Sequence, residues 1–68
     1  MIIHVNGESR GIGDGETVAA LLHELEIRAD RVAVELNLEF LDRKDFETRG
    51  LREGDRVEIL SFIGGGAR

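Results

Sequence analysis

The sequence contains no cysteine, which rules out disulfides and thiolate ligands for a metal ion. It also contains no apolar stretch near the ~20 residues that a helix needs to cross a bilayer. The first residues, Met1 to Val5, lack the basic segment, the long apolar stretch and the small-residue cleavage site of a signal peptide. We therefore expect a cytoplasmic protein with no membrane partner.

Positive charge is also scarce, because 9 lysines and arginines face 14 aspartates and glutamates, for a net charge of −5. A negative surface repels phosphate backbones, so we do not expect nucleic acid as a partner. A basic groove on another protein fits this charge better. His4 and His23 lie far apart in sequence, without the carboxylate spacing of a metal site. We interpret them as a strand-surface and a helix-surface residue, with no metal bound.

The chain has 68 residues, enough for one domain and one core. A domain of this size buries only about 60% of the surface that its unfolded chain exposes, which leaves little room for a deep catalytic pocket. We find no plausible nucleophile–base pair and no cofactor motif. The Gly11-x-Gly13-x-Gly15 pattern is too short for a dinucleotide fingerprint and indicates turns. These features favour a carrier, a modifier or a binding module over an enzyme.

Hydrophobic alternation predicts a first strand over residues 1–5, followed by Asn6-Gly7, a dipeptide typical of tight hairpin turns. The returning strand, residues 8–13, is polar and glycine-rich, which indicates a sheet edge. Thr17 is placed to cap a helix. The apolar residues of that helix recur at i, i+3, i+4 and i+7 and so share one face: Val18, Leu21, Leu22 and Leu25.

Three more strands are predicted, over residues 32–36, 38–41 and 56–63, with a charged loop over residues 42–50 that has room for one helical turn. The order β-β-α-β-β-β places one helix across one face of a mixed sheet of four to five strands. This is the α+β arrangement called the β-grasp, or ubiquitin-like, fold. We expect its first and last strands to be parallel neighbours, within a single domain over residues 1–63.

Residues 64–68 are predicted to form a flexible glycine-rich tail. Three glycines follow the apolar last strand directly. Glycine raises the cost of ordering a segment, but it lets the backbone pass through a narrow channel and approach a nucleotide closely. We expect Gly64 and Gly65 to thread into a partner protein. An ordinary frayed terminus is the alternative interpretation.

The segment GDRVEILSFIGGG (residues 54–66) resembles the C-terminal signature of the ThiS family, the sulfur carriers of thiamine thiazole biosynthesis. Further pieces match upstream in the same order: VNGE (5–8), TVAALL (17–22) and VAVE (32–35). LDRKDF (41–46) resembles the family's loop V-P-R-x-x-aromatic, although Asp42 stands where proline is usual. The resemblance covers nearly the whole chain.

The resemblance implies that sulfur is carried as a C-terminal glycyl thiocarboxylate. A ThiF-like adenylyltransferase would use ATP and Mg²⁺ to adenylate the terminal glycine, and a sulfur donor such as a cysteine desulfurase would displace AMP. Thiazole synthase ThiG would receive the sulfur. The carrier itself would bind no cofactor and catalyse no reaction. Without cysteine, the chain cannot carry sulfur on a cysteine side chain.

The sequence departs from the family at its end, because Ala67-Arg68 follows Gly66 whereas mature carriers of the family end at Gly-Gly. The resemblance therefore implies that a peptidase removes Ala67-Arg68 and leaves Gly66 as the modified terminus. A tail left over from expression and a chain that no longer carries sulfur are alternatives.

A second candidate site lies on the last strand, where Leu60 and Phe62 share the face opposite to Val57. If Val57 meets the helix, Leu60 and Phe62 point outward, and we place Ala33 and Ile2 with them. A grouped apolar patch of this kind suggests a docking surface for the adenylyltransferase. The alternative is that the charged loop covers it.

Other functions are compatible with the same fold and tail. They include a MoaD-like carrier for molybdopterin, a carrier for cysteine or tRNA thiolation, and a ubiquitin-like protein modifier. In a non-catalytic binding domain, the glycines would be incidental. The short length and the Asn6-Gly7 hairpin favour the ThiS family.

Overall fold

The computed structural model describes residues 1–62. In chain order, its elements are β1 (Ile2–Val5), β2 (Glu8–Gly11), α1 (Val18–Glu24), β3 (Val32–Leu36), β4 (Glu39–Leu41) and β5 (Arg56–Ser61), with 3-10 turns at Ala29–Arg31 and Arg43–Asp45. This order confirms the predicted β-β-α-β-β-β succession. Ile63, the glycines Gly64 to Gly66, Ala67-Arg68 and the proposed domain boundary lie outside the described residues.

The five strands form one mixed sheet in the order β2-β1-β5-β3-β4. β1 and β5 are parallel in its centre, with His4 opposite Arg56 and Val5 opposite Val57. The other neighbouring strands are antiparallel. The polar strand β2 lies at an edge, as its composition predicted. The sheet therefore has the β-grasp topology expected from the sequence.

Both hairpins turn through asparagine. Asn6 (φ 49°) and Gly7 (φ 87°) connect β1 to β2, and Asn37 (φ 54°) and Leu38 (φ 73°) connect β3 to β4. A two-residue turn that follows the twist of a hairpin needs positive φ at both positions. Asparagine and glycine accept this conformation readily, whereas leucine is strained there. The prediction that Leu38 begins a strand is therefore wrong, because the turn takes that residue and β4 begins at Glu39.

Helix α1 begins as predicted, with Thr17 Oγ1 accepting a hydrogen bond from the backbone N–H of Ala20 at 3.1 Å. It is only seven residues long. Leu25 caps its C-terminus and is half-buried, and Glu26 leaves the helix with φ 61°. Across residues 1–62, no helix is long and apolar enough to span a membrane.

The core occupies one face of the sheet, and residues from α1 and the later loops complete it. Its buried apolar residues are Ile3, Ile12, Val18, Leu21, Leu22, Val32, Val34, Leu36, Phe46, Leu51 and Val57.

The charged loop over residues 42–50 also belongs to the core side. Its Phe46 is only 3% exposed, and the Phe46 carbonyl accepts a hydrogen bond from the N–H of Ala19 in α1 at 2.8 Å. The N–H of Leu51 donates to the carbonyl of Glu16, also at 2.8 Å. The loop is thus tied to the start of α1.

We predict that Thr17→Ala lowers the free energy of unfolding by about 1 kcal/mol, because the Ala20 N–H loses its capping acceptor. Urea denaturation measures this loss. Thr17→Ser is the matched control, since it keeps the hydroxyl and should retain most of the stability. Equal losses in the two variants would contradict a role for the cap.

Candidate functional site

The two faces of β5 differ in burial. Val57 is fully buried and Ile59 is half-buried, whereas Leu60 is 47% exposed and Phe62 is 65% exposed. Side chains alternate across a strand, so Leu60 and Phe62 lie on the face opposite to the core. This confirms the orientation predicted for both residues. Their role in docking stays a prediction.

Leu60 is directly opposite Ala33 in the β3–β5 register, and Ala33 is half-buried. The next contact along the chain is a hydrogen bond from the Phe62 N–H to the Arg31 carbonyl at 2.9 Å. We call Ala33, Leu60 and Phe62 the exit patch, because they lie where the last described strand ends. The charged loop does not cover this patch, so that alternative is wrong.

Ile2 does not belong to the exit patch, although it is 45% exposed. The carbonyl of Ile2 accepts a hydrogen bond from the N–H of Gly54, which precedes β5 and lies six residues before Leu60 in the sequence. At about 3.3 Å per residue, this separation is roughly 20 Å. The prediction that groups Ile2 with Leu60 is wrong. It uses only the alternation of side chains between the two faces of a strand, and alternation does not define the register between two parallel strands.

Phe40 is an exposed aromatic residue that the sequence pattern does not assign to a surface. It is 70% exposed and pairs with Glu35, which in turn pairs with Glu58 of β5. This register puts Phe40 on the same sheet face as Leu60, two strands away. The two-residue turn at Asn37-Leu38 is the signal that could have revealed it, because such a turn fixes the pairing of β3 with β4.

The other end of this sheet face is polar. A shallow pocket of about 340 Å³ is lined by His4, Gly7, Gly54, Arg56 and Glu58. His4 is exposed on β1 and His23 is exposed on α1, in agreement with their surface assignment. In the described part of the chain, no three histidine, aspartate or glutamate side chains are grouped to hold a metal ion.

An ion pair lies in the turn next to the exit patch. Arg28 donates from Nε to Asp30 Oδ1 at 3.2 Å and from Nη2 to Asp30 Oδ2 at 3.0 Å. These hydrogen bonds are the main reason why the pKa of Asp30 lies below its ordinary value of 3.8. This ion pair lies at the Ala29–Arg31 turn, and the Arg31 carbonyl of the same turn accepts the hydrogen bond from the Phe62 N–H.

The ThiS family model matches residues 3–66 of this chain. The chain belongs to the ThiS family. The ThiS match runs through the three glycines and ends at Gly66, two residues before Arg68. It confirms the resemblance found in the sequence.

Individual ThiS relatives agree in sequence and fold. The sulfur carrier protein ThiS of Thermus thermophilus is 35% identical over 65 residues, which cover 96% of this chain and 100% of that protein. The crystal structure of the thiamine biosynthesis protein ThiS from Geobacter metallireducens is 39% identical, with a TM-score of 0.83 over 97% of this chain and 100% of that one. The likeness confirms the β-grasp fold.

A ThiS-like segment also occurs within a much longer protein. Thiazole synthase from Paramagnetospirillum magneticum is 42% identical over 67 residues, which cover 98% of this chain. This chain spans only 21% of that protein's length.

We predict that the titration midpoint of the Asp30 carboxyl group, followed by carbon-detected NMR, lies below 3.8 and rises in Arg28→Gln. Because the folded pKa is lowered, the associated stabilisation is present above the unfolded pKa and is lost as the pH falls through the folded pKa. Arg31→Gln is the control, since Arg31 contributes least to the shift. An unchanged midpoint in Arg28→Gln would contradict this cause.

Proposed function

We propose that this chain is a sulfur carrier for thiamine thiazole biosynthesis, with sulfur held as a thiocarboxylate on Gly66. The observation that carries the proposal is the family match, which ends at Gly66. The relative from Thermus thermophilus, named a sulfur carrier protein, supports the same function. The relative from Geobacter metallireducens, named a thiamine biosynthesis protein, favours this pathway over a molybdopterin or tRNA-thiolation carrier.

The proposed chemistry explains why a small domain suffices. A carboxylate is a poor electrophile, so an oxygen of Gly66 first attacks the α-phosphate of ATP on a ThiF-like adenylyltransferase and pyrophosphate leaves. A persulfide, such as that of a cysteine desulfurase, then bonds through its terminal sulfur to the glycyl carbon, and AMP leaves. A thiol cleaves the S–S bond to release the thiocarboxylate. ATP and Mg²⁺ bind the partner, so this chain is a substrate and not an enzyme.

This reaction needs a free carboxylate on Gly66, which is followed by Ala67 in the sequence. We therefore propose that a peptidase hydrolyses the Gly66–Ala67 bond before adenylation. The absence of side chains at Gly64 and Gly65 would let the backbone thread into a narrow ATP site.

The exit patch is the proposed docking site for the adenylyltransferase. Leu60 and Phe62 expose apolar surface only a few residues before Gly66, so a partner that contacts them is close to the reacting terminus. The net charge of −5 suits a partner with a basic surface around an apolar contact. The thiazole synthase relative supports ThiG as the sulfur acceptor, because a segment similar to this chain lies within that protein.

We predict that the protein isolated from its native host has lost every residue after Gly66 and that a fraction carries sulfur in place of one oxygen. Intact-mass spectrometry measures both changes. Gly66→Ala should abolish the sulfur-containing species, because a methyl group at the terminus would obstruct the narrow ATP site that the tail is proposed to enter. Sulfur delivery to thiazole that persisted in Gly66→Ala, or without cleavage, would refute the proposal.

We predict that Leu60→Glu weakens binding to the adenylyltransferase at least about tenfold, because a charge replaces an apolar anchor in the contact. Isothermal titration calorimetry gives the affinity, and circular dichroism checks that the fold is retained. Leu38→Glu is the matched control, since Leu38 is 80% exposed in the β3–β4 turn, away from the exit patch. Equal binding by both variants and the parent protein would rule out docking at Leu60.

A further inference from the structure

The central strand β5 extends beyond the end of its parallel neighbour. β1 ends at Val5, whereas β5 continues to Ser61. The main-chain N–H of Asn6 still donates to the carbonyl of Val57 at 2.8 Å. Asn6 then adopts a φ of 49° and the main chain turns away toward β2. The regular main-chain pairing of β1 with β5 therefore stops at this residue.

The side chain of Asn6 continues the pairing. Its Oδ1 accepts the N–H of Ile59 at 2.7 Å, and its Nδ2 lies 3.4 Å from the Ile59 carbonyl, to which it donates. In a parallel pair of strands, a residue donates its main-chain N–H to a carbonyl of the neighbouring strand, and its main-chain carbonyl accepts the N–H that lies two residues further along that strand. At Asn6 the N–H binds the Val57 carbonyl, and the side-chain Oδ1 replaces the main-chain carbonyl as the acceptor of the Ile59 N–H. The side chain thus adds one rung to the sheet.

We propose that Asn6 is a positioning residue for sulfur loading, because its side chain holds β5 at Ile59 on the edge that extends past the end of β1, while β3 holds the other edge. This inference rests on the proposed function. Ile59 precedes Gly66 by seven residues, so the position of β5 at Ile59 limits where the Gly66 carboxylate can reach. A β5 strand that is held on both edges raises the effective concentration of the Gly66 carboxylate at the partner's ATP site.

Asn37 provides a matched control within the same molecule. It also has a positive φ, of 54°, and its side chain also reaches β5. Asn37 Oδ1 accepts the N–H of Arg56 at 2.9 Å, and its Nδ2 donates to Asp55 Oδ1 at 3.0 Å. These bonds hold the first residue of β5, at the end far from the tail.

The test compares Asn6→Gly with Asn37→Gly. Glycine keeps the positive φ of each turn and removes only the side chain. In native-state hydrogen exchange on the full chain, Asn6→Gly should raise the exchange rate of the Ile59 amide about tenfold, the effect of losing one hydrogen bond. Asn37→Gly should instead raise exchange at Arg56. Equal protection of the Ile59 amide in Asn6→Gly and the parent would show that the hydrogen bond from Ile59 to the Asn6 side chain does not hold β5.

The functional readout is the rate of adenylate formation with saturating adenylyltransferase and ATP, measured on chains that end at Gly66. Asn6→Gly should lower this rate several-fold without changing the affinity for the partner, and Asn37→Gly should keep the parental rate. Equal slowing in both variants, or no slowing in either, would overturn a positioning role. If the parent chain is not adenylated, the proposed function fails and the positioning role fails with it. The hydrogen-exchange data then report separately on whether the Asn6 side chain holds Ile59.

Discussion

The placement of β5 between β1 and β3 is the constraint on which the rest of the structure depends. Its parallel pairing with β1 brings the first and last parts of the described chain together in the centre of the sheet. Its antiparallel pairing with β3 continues to Ser61, so the strand is held along its whole length on that side. A strand held in this way presents one row of side chains to the core and the other row to the opposite face. Val57 and Leu60 therefore have different surroundings although only two residues separate them.

The small size of the domain explains why the core lies on one face only. A chain of 68 residues has too few apolar side chains to cover both faces of a five-stranded sheet. The seven-residue helix and the loop residues Phe46 and Leu51 all close the same face. The opposite face keeps Phe40, Leu60 and Phe62 exposed. Because the core covers only one face of the sheet, apolar side chains stay exposed on the other face.

The sequence predicted the elements whose signals are local. Alternation defined β3 and β5, Thr17 marked the start of α1, and the two asparagines marked the hairpin turns. It also predicted the outward orientation of Leu60 and Phe62. Register between strands that are distant in sequence is harder to predict, so strand alternation alone groups Ile2 with Leu60 and assigns Phe40 to no surface. The bridge from Asn6 to Ile59 could not be predicted, because it depends on how far β5 extends past the end of β1. The roles of Gly64, Gly65 and Gly66 rest on the sequence and on the family match.

The two asparagine turns show how one residue type can serve both local and tertiary structure. Each asparagine accepts the positive φ that its hairpin needs, and each uses its side-chain amide to bind the backbone of β5 from opposite sides. Glycine would satisfy the turn equally well but would leave the Arg56 and Ile59 N–H groups without these acceptors. Turn propensity alone therefore does not distinguish asparagine from glycine at position 6 or 37. Asparagine is favoured at these positions by the need to hold β5 where a neighbouring strand has ended. The choice of turn residue is thereby linked to the position of the last described strand.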